Sequence, residues 1–122
     1  MIILMAGDTL FQRNLEDSAG QASVELLTLS EEEPFWAALQ EGTPDAVFVE
    51  TGFSNLDAGE IIQKLKTNPS TRKIPVVAFG DSLRTDLLQD AKEAGADLVL
   101  ARAALRDQWP QLLRHYDKSH PG

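Results

Sequence analysis

Along this chain, short apolar runs alternate regularly with longer segments in which apolar residues recur at the spacing of a helix. Short, mainly apolar runs at positions 2–5, 24–29, 46–49, 75–79 and 98–100 have the length of β-strands. The segments between them are longer, and their apolar residues recur every three or four positions, which is the period of an amphipathic α-helix. The pattern therefore predicts five strands that alternate with five helices.

The third apolar run, Ala46–Val49, is the most informative segment. It is apolar on both faces and lies between Pro44-Asp45 and Thr51-Gly52, which is typical of a central strand in a parallel sheet. The second run alternates apolar and polar residues and is expected nearer the sheet edge. Open α/β sheets bind ligands beyond the carboxyl ends of their strands. Glu50, at that end of the third run, is therefore a candidate site residue.

Helix boundaries are predicted from capping residues. Ser30 lies three residues ahead of Glu33, the spacing of a capping box before the second helix. Asp107 is predicted to cap the main part of the last helix, which leaves Pro110 in its first turn, where the missing N–H costs little. The residues predicted to end the first, second and fourth helices are Gly20, Gly42 and Gly95.

The helical period also predicts which side chains face the sheet. In the third helix, Lys64 and Lys66 are expected to point outward. Ile61, Ile62 and Leu65 of the same helix are expected to point inward. The apolar positions of the first helix are Leu10, Phe11, Leu15 and Ala19.

Composition narrows the class of protein. The chain has 122 residues, of which 43% are hydrophobic and 25% charged, as in an ordinary globular domain. There is no cysteine, so disulfides, thiolate metal sites and a cysteine nucleophile are excluded. The net charge of −8 repels phosphate backbones and anionic lipids, which argues against nucleic-acid and membrane partners. We expect a soluble, cytoplasmic protein with one domain at 1–116 and a frayed tail at 117–122.

Five alternating βα units require parallel strands joined by right-handed crossovers, hence a three-layer α/β/α sandwich. From Pro44 onward the residues also resemble the receiver domain of two-component response regulators. The likeness covers nearly the whole chain, and it is carried by Lys73–Ala78 and Glu93–Asp97 before the fourth and fifth strands. The resemblance implies a flavodoxin-like (βα)5 fold with sheet order 2-1-3-4-5 and a crevice at strands one, three and four.

The resemblance also implies a chemistry, phosphoryl transfer to an aspartate at the end of the third strand. In that family two acidic residues after the first strand hold Mg²⁺, while a hydroxyl after the fourth strand and a lysine after the fifth contact the phosphoryl group. An aromatic residue in the fifth strand serves as the switch. The matching positions here are Glu50 for the phosphoacceptor, Ala6 and Gly7 for the acidic pair, Gly80 for the hydroxyl, Arg102 for the lysine and Val99 for the switch aromatic.

These departures remove what phosphoryl transfer requires. Ala6 and Gly7 offer no anionic ligand, and Mg²⁺ sites usually need one or two carboxylates. Asp8 is left as a lone ligand or, alternatively, as a helix cap. Gly80 has no hydroxyl, and Glu50 is a methylene longer than aspartate. We therefore expect no catalytic residue, no metal, no cofactor and no enzymatic activity.

Two interpretations of Glu50 remain open. It has only a local structural role, either solvated or paired with Arg102, whose bidentate fork suits a carboxylate. Alternatively, it is a permanent negative charge that stands in for the phosphorylated aspartate.

The sequence thus predicts a stand-alone pseudo-receiver, a phosphorylation-independent protein–protein interaction module in signal transduction or regulation. Its partner is expected to be a signalling or regulatory protein, with a homodimer as an alternative. The rival hypothesis is a small-molecule-binding regulatory domain that uses room left around Gly7, Gly52 and Gly80; an active phosphoacceptor at Glu50 is the least favoured. The expected interface, on the fourth helix, carries Arg84, Asp86, Gln89, Asp90 and Lys92, with Trp36 and Trp109 as candidate apolar anchors elsewhere.

Overall fold

The computed structural model describes residues 1–7 and 9–117, without the side chain of Thr9. Strands and helices alternate as the sequence predicts. The elements are β1 (Ile2–Met5), α1 (Thr9–Gln21), β2 (Leu26–Leu29), α2 (Glu32–Glu41), β3 (Ala46–Glu50), α3 (Ala58–Thr67), β4 (Val76–Gly80), α4 (Thr85–Ala94), β5 (Leu98–Ala101) and α5 (Arg102–Tyr116).

All strands are parallel and lie in the order β2-β1-β3-β4-β5, which confirms the predicted flavodoxin-like topology. The register places Met5 opposite Val49 and Glu50 opposite Phe79. The carboxyl ends of β1, β3 and β4 therefore meet at one edge of the sheet, where the crevice was expected.

The sheet is buried between two helical layers, which confirms the three-layer sandwich. β1, β3 and β4 are fully buried, whereas β2 and β5 are half-buried edge strands, as predicted for β2. On the α1 and α5 side, the Phe48 and Trp109 rings meet edge-on at 5.0 Å, and the Trp109 indole N–H donates to the Leu15 carbonyl at 3.0 Å. The other layer is built from α2, α3 and α4.

Two predicted caps are wrong. The residue before α2 is Glu31, whose side chain makes no capping hydrogen bond, so the Ser30–Glu33 box does not form. α5 begins at Arg102, directly after β5, so that Asp107 and Pro110 both lie inside it. Burial explains why the helix continues through the proline. The helix presents Leu105, Trp109, Leu112 and Leu113 to the core, whereas Pro110, which has no backbone N–H, lies on the exposed side of the helix.

The predicted helix ends are right at two of three glycines. Gly42 and Gly95 follow α2 and α4, and Gly95 has the left-handed φ of 117° that favours glycine. α1 instead runs through Gly20 to Gln21, and the left-handed residue after it is Ser23. Among the apolar residues of α1, Phe11, Leu15 and Ala19 are buried, whereas Leu10 is 72% exposed.

Lys66, predicted to point outward, is only 16% exposed. Its ammonium donates to the Asp97 carboxylate at 2.7 Å and to the Ile74 and Arg72 carbonyls at 2.8 and 3.2 Å. Asp97 also accepts from the Val76 N–H at 2.8 Å. The lysine stem covers apolar surface while its charge is paired, so it fixes the end of α3 against the segments that enter β4 and β5.

The last described residue, Asp117, is buried, and its N–H donates to the Leu113 carbonyl at 2.8 Å. The rest of the predicted frayed tail lies outside the described residues. Within the described part of the chain, no helix has both the length and the apolar character needed to cross a membrane.

Candidate functional site

The crevice at the carboxyl edge of the sheet brings Glu50, Gly7 and Arg102 into contact. Glu50 is the last residue of β3, Gly7 follows β1, and Arg102 follows β5. Ala6 is buried, with its N–H bonded to the Leu29 carbonyl at 3.1 Å, and so belongs to the core. Val99, at the predicted switch position, pairs with Ala78 inside the sheet.

Glu50 is only 3% exposed, and both of its carboxylate oxygens are bound. Oε1 accepts from the Gly7 backbone N–H at 2.9 Å, and Oε2 accepts from Nη2 of Arg102 at 2.7 Å. This excludes the solvated alternative and confirms the Glu50–Arg102 pair. The carboxylate therefore links the loops that follow β1 and β5 across the end of β3.

Arg102 is held on its other side by an aromatic ring. Its guanidinium carbon lies 5.8 Å from the centroid of Phe11 on α1, within the range of a cation–π contact. The side chain is 35% exposed, so the ion pair is buried at the glutamate end and reaches solvent at the arginine end. Such a pair resists separation more than an ion pair on the surface does.

Phe53, which the sequence reasoning did not single out, covers Gly7. A Cβ built on Gly7 would collide with one side of the Phe53 ring, at Cδ2, Cε2 and Cζ. The loop reaches this position through Gly52, whose φ of 82° is left-handed and favours glycine. The space next to Gly7 is thus already filled.

Thr51 has the same relation to Gly80. A Cβ on Gly80 would collide with Oγ1 of Thr51, which is buried and has no hydrogen-bond partner among the described residues. A Cβ on Gly52 would lie 3.2 Å from Leu87. The expectation of free room is therefore wrong at Gly7 and Gly80, whereas Gly52 lines a pocket of about 470 Å³. A smaller depression of about 260 Å³ lies beside Gly7, Glu50, Phe53 and Arg102.

Comparison with known proteins bears on the fold. No family model matches the sequence, and no curated protein matches it significantly. Solved structures do match. A phosphorylated cyanobacterial phytochrome response regulator, RcpA, superposes with a TM-score of 0.81 at 15% identity, over 98% of this chain and 95% of that one. The Mn²⁺-bound response regulator Rcp1 gives 0.80 at 18% identity, over 98% of this chain and 96% of that one.

A third match is the receiver domain of a sensor histidine kinase from Pseudomonas aeruginosa, with a magnesium ion in its active-site cleft. Its TM-score is 0.80 at 15% identity, over 94% of each chain. The chain has the fold of response regulator receiver domains. At this level of identity, the likeness establishes the receiver fold and leaves the activity open.

The residues of this crevice do not fit a carboxylate-held divalent metal such as the ions bound in the Rcp1 and Pseudomonas aeruginosa structures. Ala6 is buried, and Gly7 presents only a backbone N–H, which is already bonded to Glu50. Asp8, the remaining candidate ligand or cap, lies outside the described residues. Among residues 1–7 and 9–117 there is no group of three or more metal-binding side chains. The described donors therefore provide no Mg²⁺ site of the usual carboxylate type.

The outer face of α4 is different, because its polar side chains stand in solvent. Arg84 donates from Nε and Nη2 to the two oxygens of Asp86, both at 3.1 Å. This pairing raises the pKa of Arg84 and lowers that of Asp86. Gln89 donates to Glu93 at 3.3 Å, and Asp90 and Lys92 are exposed. The predicted interface residues therefore share one accessible helix.

Of the two predicted apolar anchors, the structure contradicts only Trp109. Trp109 is buried in the core, so it is wrong as an anchor. Trp36 is half-buried between α2 and α3, where its indole N–H donates to Glu32 at 2.9 Å and Lys64 lies over its ring. Leu83, just before α4, is instead 85% exposed. The sequence signal for this exposure was the position of Leu83 in a polar turn, directly after Asp81 and Ser82.

Proposed function

We propose that this chain is a pseudo-receiver: a receiver-fold domain that performs no phosphorylation chemistry and acts as a protein–protein interaction module in signal transduction or regulation. The observation that carries the proposal is the engagement of Glu50. An acceptor carboxylate must face incoming phosphoryl groups, whereas Glu50 is buried and bonded on both oxygens.

The pairing with Arg102 supports a structural role for Glu50 rather than phosphoaspartate mimicry. An adjacent guanidinium offsets the charge that a mimic would have to present. Glu50 and Arg102 also stand at the positions that resemble the phosphoacceptor and the lysine of receiver domains. Here the two side chains bind each other directly, without a phosphoryl group between them.

The exposed face of α4 supports the interaction role. Arg84, Asp86 and Lys92 supply charges of both signs, and Leu83 adds an apolar side chain beside them. A mixture of charged groups around an exposed apolar residue suits a polar, reversible protein interface. The partner is proposed to be a protein, either a different chain or a second copy of this one.

The small-molecule alternative has weaker support. The depression beside Gly7 and Glu50, of about 260 Å³, is smaller than the roughly 300–1,000 Å³ typical of ligand pockets. A larger pocket of about 470 Å³ lies beside Gly52 and Phe53, but neither Gly7 nor Gly80 lines it. Phe53 and Thr51 also fill the places that this alternative requires to be empty.

The test is a titration of the chain with Mg²⁺, and then with Mg²⁺ plus beryllofluoride, followed by calorimetry and amide NMR. We expect no saturable Mg²⁺ binding at about 1 mM and no chemical-shift change of the Gly7 or Gly80 amides, because Ala6 and Gly7 provide no carboxylate to hold the ion. Saturable binding, or a beryllofluoride-dependent shift at Glu50 and Gly80, would refute the proposal.

A further inference from the structure

We infer that Phe53 and Thr51 form an internal plug that fills the crevice next to Gly7 and Gly80, and that these two residues are glycines because the plug needs their side-chain space. The inference concerns the crevice and not the α4 face. It deepens the proposed function, which also relies on a filled crevice, but its tests measure stability and amide exchange, so their failure is distinguishable from failure of the metal titration or of partner binding.

The backbone alone does not require glycine at either position. The glycines with left-handed φ values are Gly52 and Gly95, so Gly7 and Gly80 adopt conformations open to other residues. What distinguishes them is the neighbouring side chain. The Phe53 ring lies where a residue-7 Cβ would be, and Thr51 Oγ1 lies where a residue-80 Cβ would be.

The two contacts come from one short segment. Thr51 and Phe53 flank Gly52, directly after Glu50, and they reach over β4 and the end of β1 respectively. Thr51 is buried, with its N–H bonded to the Phe79 carbonyl at 2.8 Å. Glu50 is meanwhile bonded to Gly7 and Arg102. The segment at the end of β3 thus contacts the carboxyl ends of β1 and β4 through its own side chains and backbone.

Thr51 further indicates that shape decides this contact. Its hydroxyl is buried without a partner among the described residues, an arrangement that normally destabilises a protein. The side chain fills the volume above Gly80 all the same. Valine has the same shape without the hydroxyl, so Thr51→Val should preserve the plug, whereas Thr51→Ala should remove it.

The first test is a double-mutant cycle of Gly7→Ala and Phe53→Ala, read as the urea midpoint of unfolding. We expect Gly7→Ala to lower the midpoint in the native background, because the half-buried Phe53 ring must move to make room, and to leave it nearly unchanged in the Phe53→Ala background. Gly42→Ala is the matched control, because Gly42 has an extended φ of 178° and no atom within 4 Å of its Cβ. It should leave the midpoint nearly unchanged.

The second test repeats the cycle at the other contact. Gly80→Ala should lower the midpoint alone and with Thr51→Val, but not with Thr51→Ala, since the next contact, the Thr51 Cβ, is an ordinary 3.4 Å away. An equal loss in all three backgrounds would overturn the inference. If Gly7→Ala or Gly80→Ala fails to fold, folding of the double variant with Phe53→Ala or Thr51→Ala supports the plug, and failure of both refutes it.

The third test measures closure directly, through amide hydrogen exchange. In Phe53→Ala the Gly7 amide should exchange at least tenfold faster relative to the Ala6 amide. The Ala6 N–H donates to the Leu29 carbonyl of β2. The ratio of the Gly7 and Ala6 exchange rates therefore cancels any change in global stability. An unchanged ratio would show that the ring does not close the crevice.

Discussion

The crevice and the outer face of α4 use their polar side chains in opposite ways. In the crevice, Glu50 binds Gly7 and Arg102, while Phe53 and Thr51 fill the space beside the glycines. At the start of α4, Arg84 and Asp86 form an ion pair that stays in solvent. A ligand shifts a conformational equilibrium only through differential affinity for its two states. The comparison teaches that the crevice offers little to an external ligand, whereas α4 remains available to a partner.

The largest effect that would sharpen this comparison is expected at Glu50. Glu50→Gln keeps an acceptor for the Gly7 N–H but removes the charge that faces Arg102. Because the glutamate end of the pair is buried, we expect a loss of about 1–3 kcal/mol in the free energy of unfolding. Chemical denaturation measures it.

The control for this prediction is the cycle with Arg102→Ala. The two losses should be strongly non-additive, with a coupling energy of about 1 kcal/mol or more. A coupling energy indistinguishable from zero would mean that the 2.7 Å contact does not stabilise the crevice, and the contrast with α4 would disappear.

How much of this was predictable differs between the sheet and the crevice. The apolar run Ala46–Val49 specified a buried central strand, because only a strand covered on both faces has that pattern. The position of Glu50 at the end of this strand followed, whereas the strand order was implied by the resemblance to receiver domains. The occupancy of the crevice did not follow, because the path of Thr51–Phe53 depends on the left-handed turn at Gly52 and on packing across three strands.

Local rules failed where tertiary contacts outweighed them. Pro110 suggests a helix start, but the burial of Trp109 and Leu113 carries α5 through it. Lys66 suggests a solvated position, but three acceptors surround its ammonium. In each case the deciding partner lies elsewhere in the chain or the fold, so a local sequence window did not contain it.

The next largest effect is expected from charge reversal on α4. Arg84→Glu with Lys92→Glu should weaken binding of a partner identified by affinity capture and mass spectrometry by roughly tenfold or more. Stability should change by less than about 0.5 kcal/mol, because both side chains are exposed. Calorimetry with the purified partner measures the affinity.

The matched control is Arg13→Glu with Lys73→Glu, which makes the same change in net charge on α1 and before β4. It should leave the affinity near that of the native chain. Equal weakening by both pairs would indicate a general electrostatic effect, and no weakening by the α4 pair would place the interface elsewhere.

The smallest effect concerns Asp86. The hydrogen-bonded Arg84 guanidinium lowers the pKa of this carboxyl, and Arg84→Ala should return it toward its ordinary value. Because the folded-state pKa is depressed, the pair stabilises above the ordinary pKa of aspartate, and this contribution disappears as the pH falls through the folded pKa. NMR titration of the Asp86 carboxyl measures the shift. An unchanged pKa in Arg84→Ala would show that the pair does not persist in solution.

The most direct test of phosphorylation-independent binding is the affinity of the native chain for its purified partner, measured with and without acetyl phosphate and Mg²⁺. A crevice that is internally bonded and filled provides no differential term for a phosphoryl group. The expected result is the same dissociation constant under both conditions. A reproducible change that depends on the phosphodonor, and that is lost in Glu50→Gln, would show that the receiver switch survives and would contradict the account.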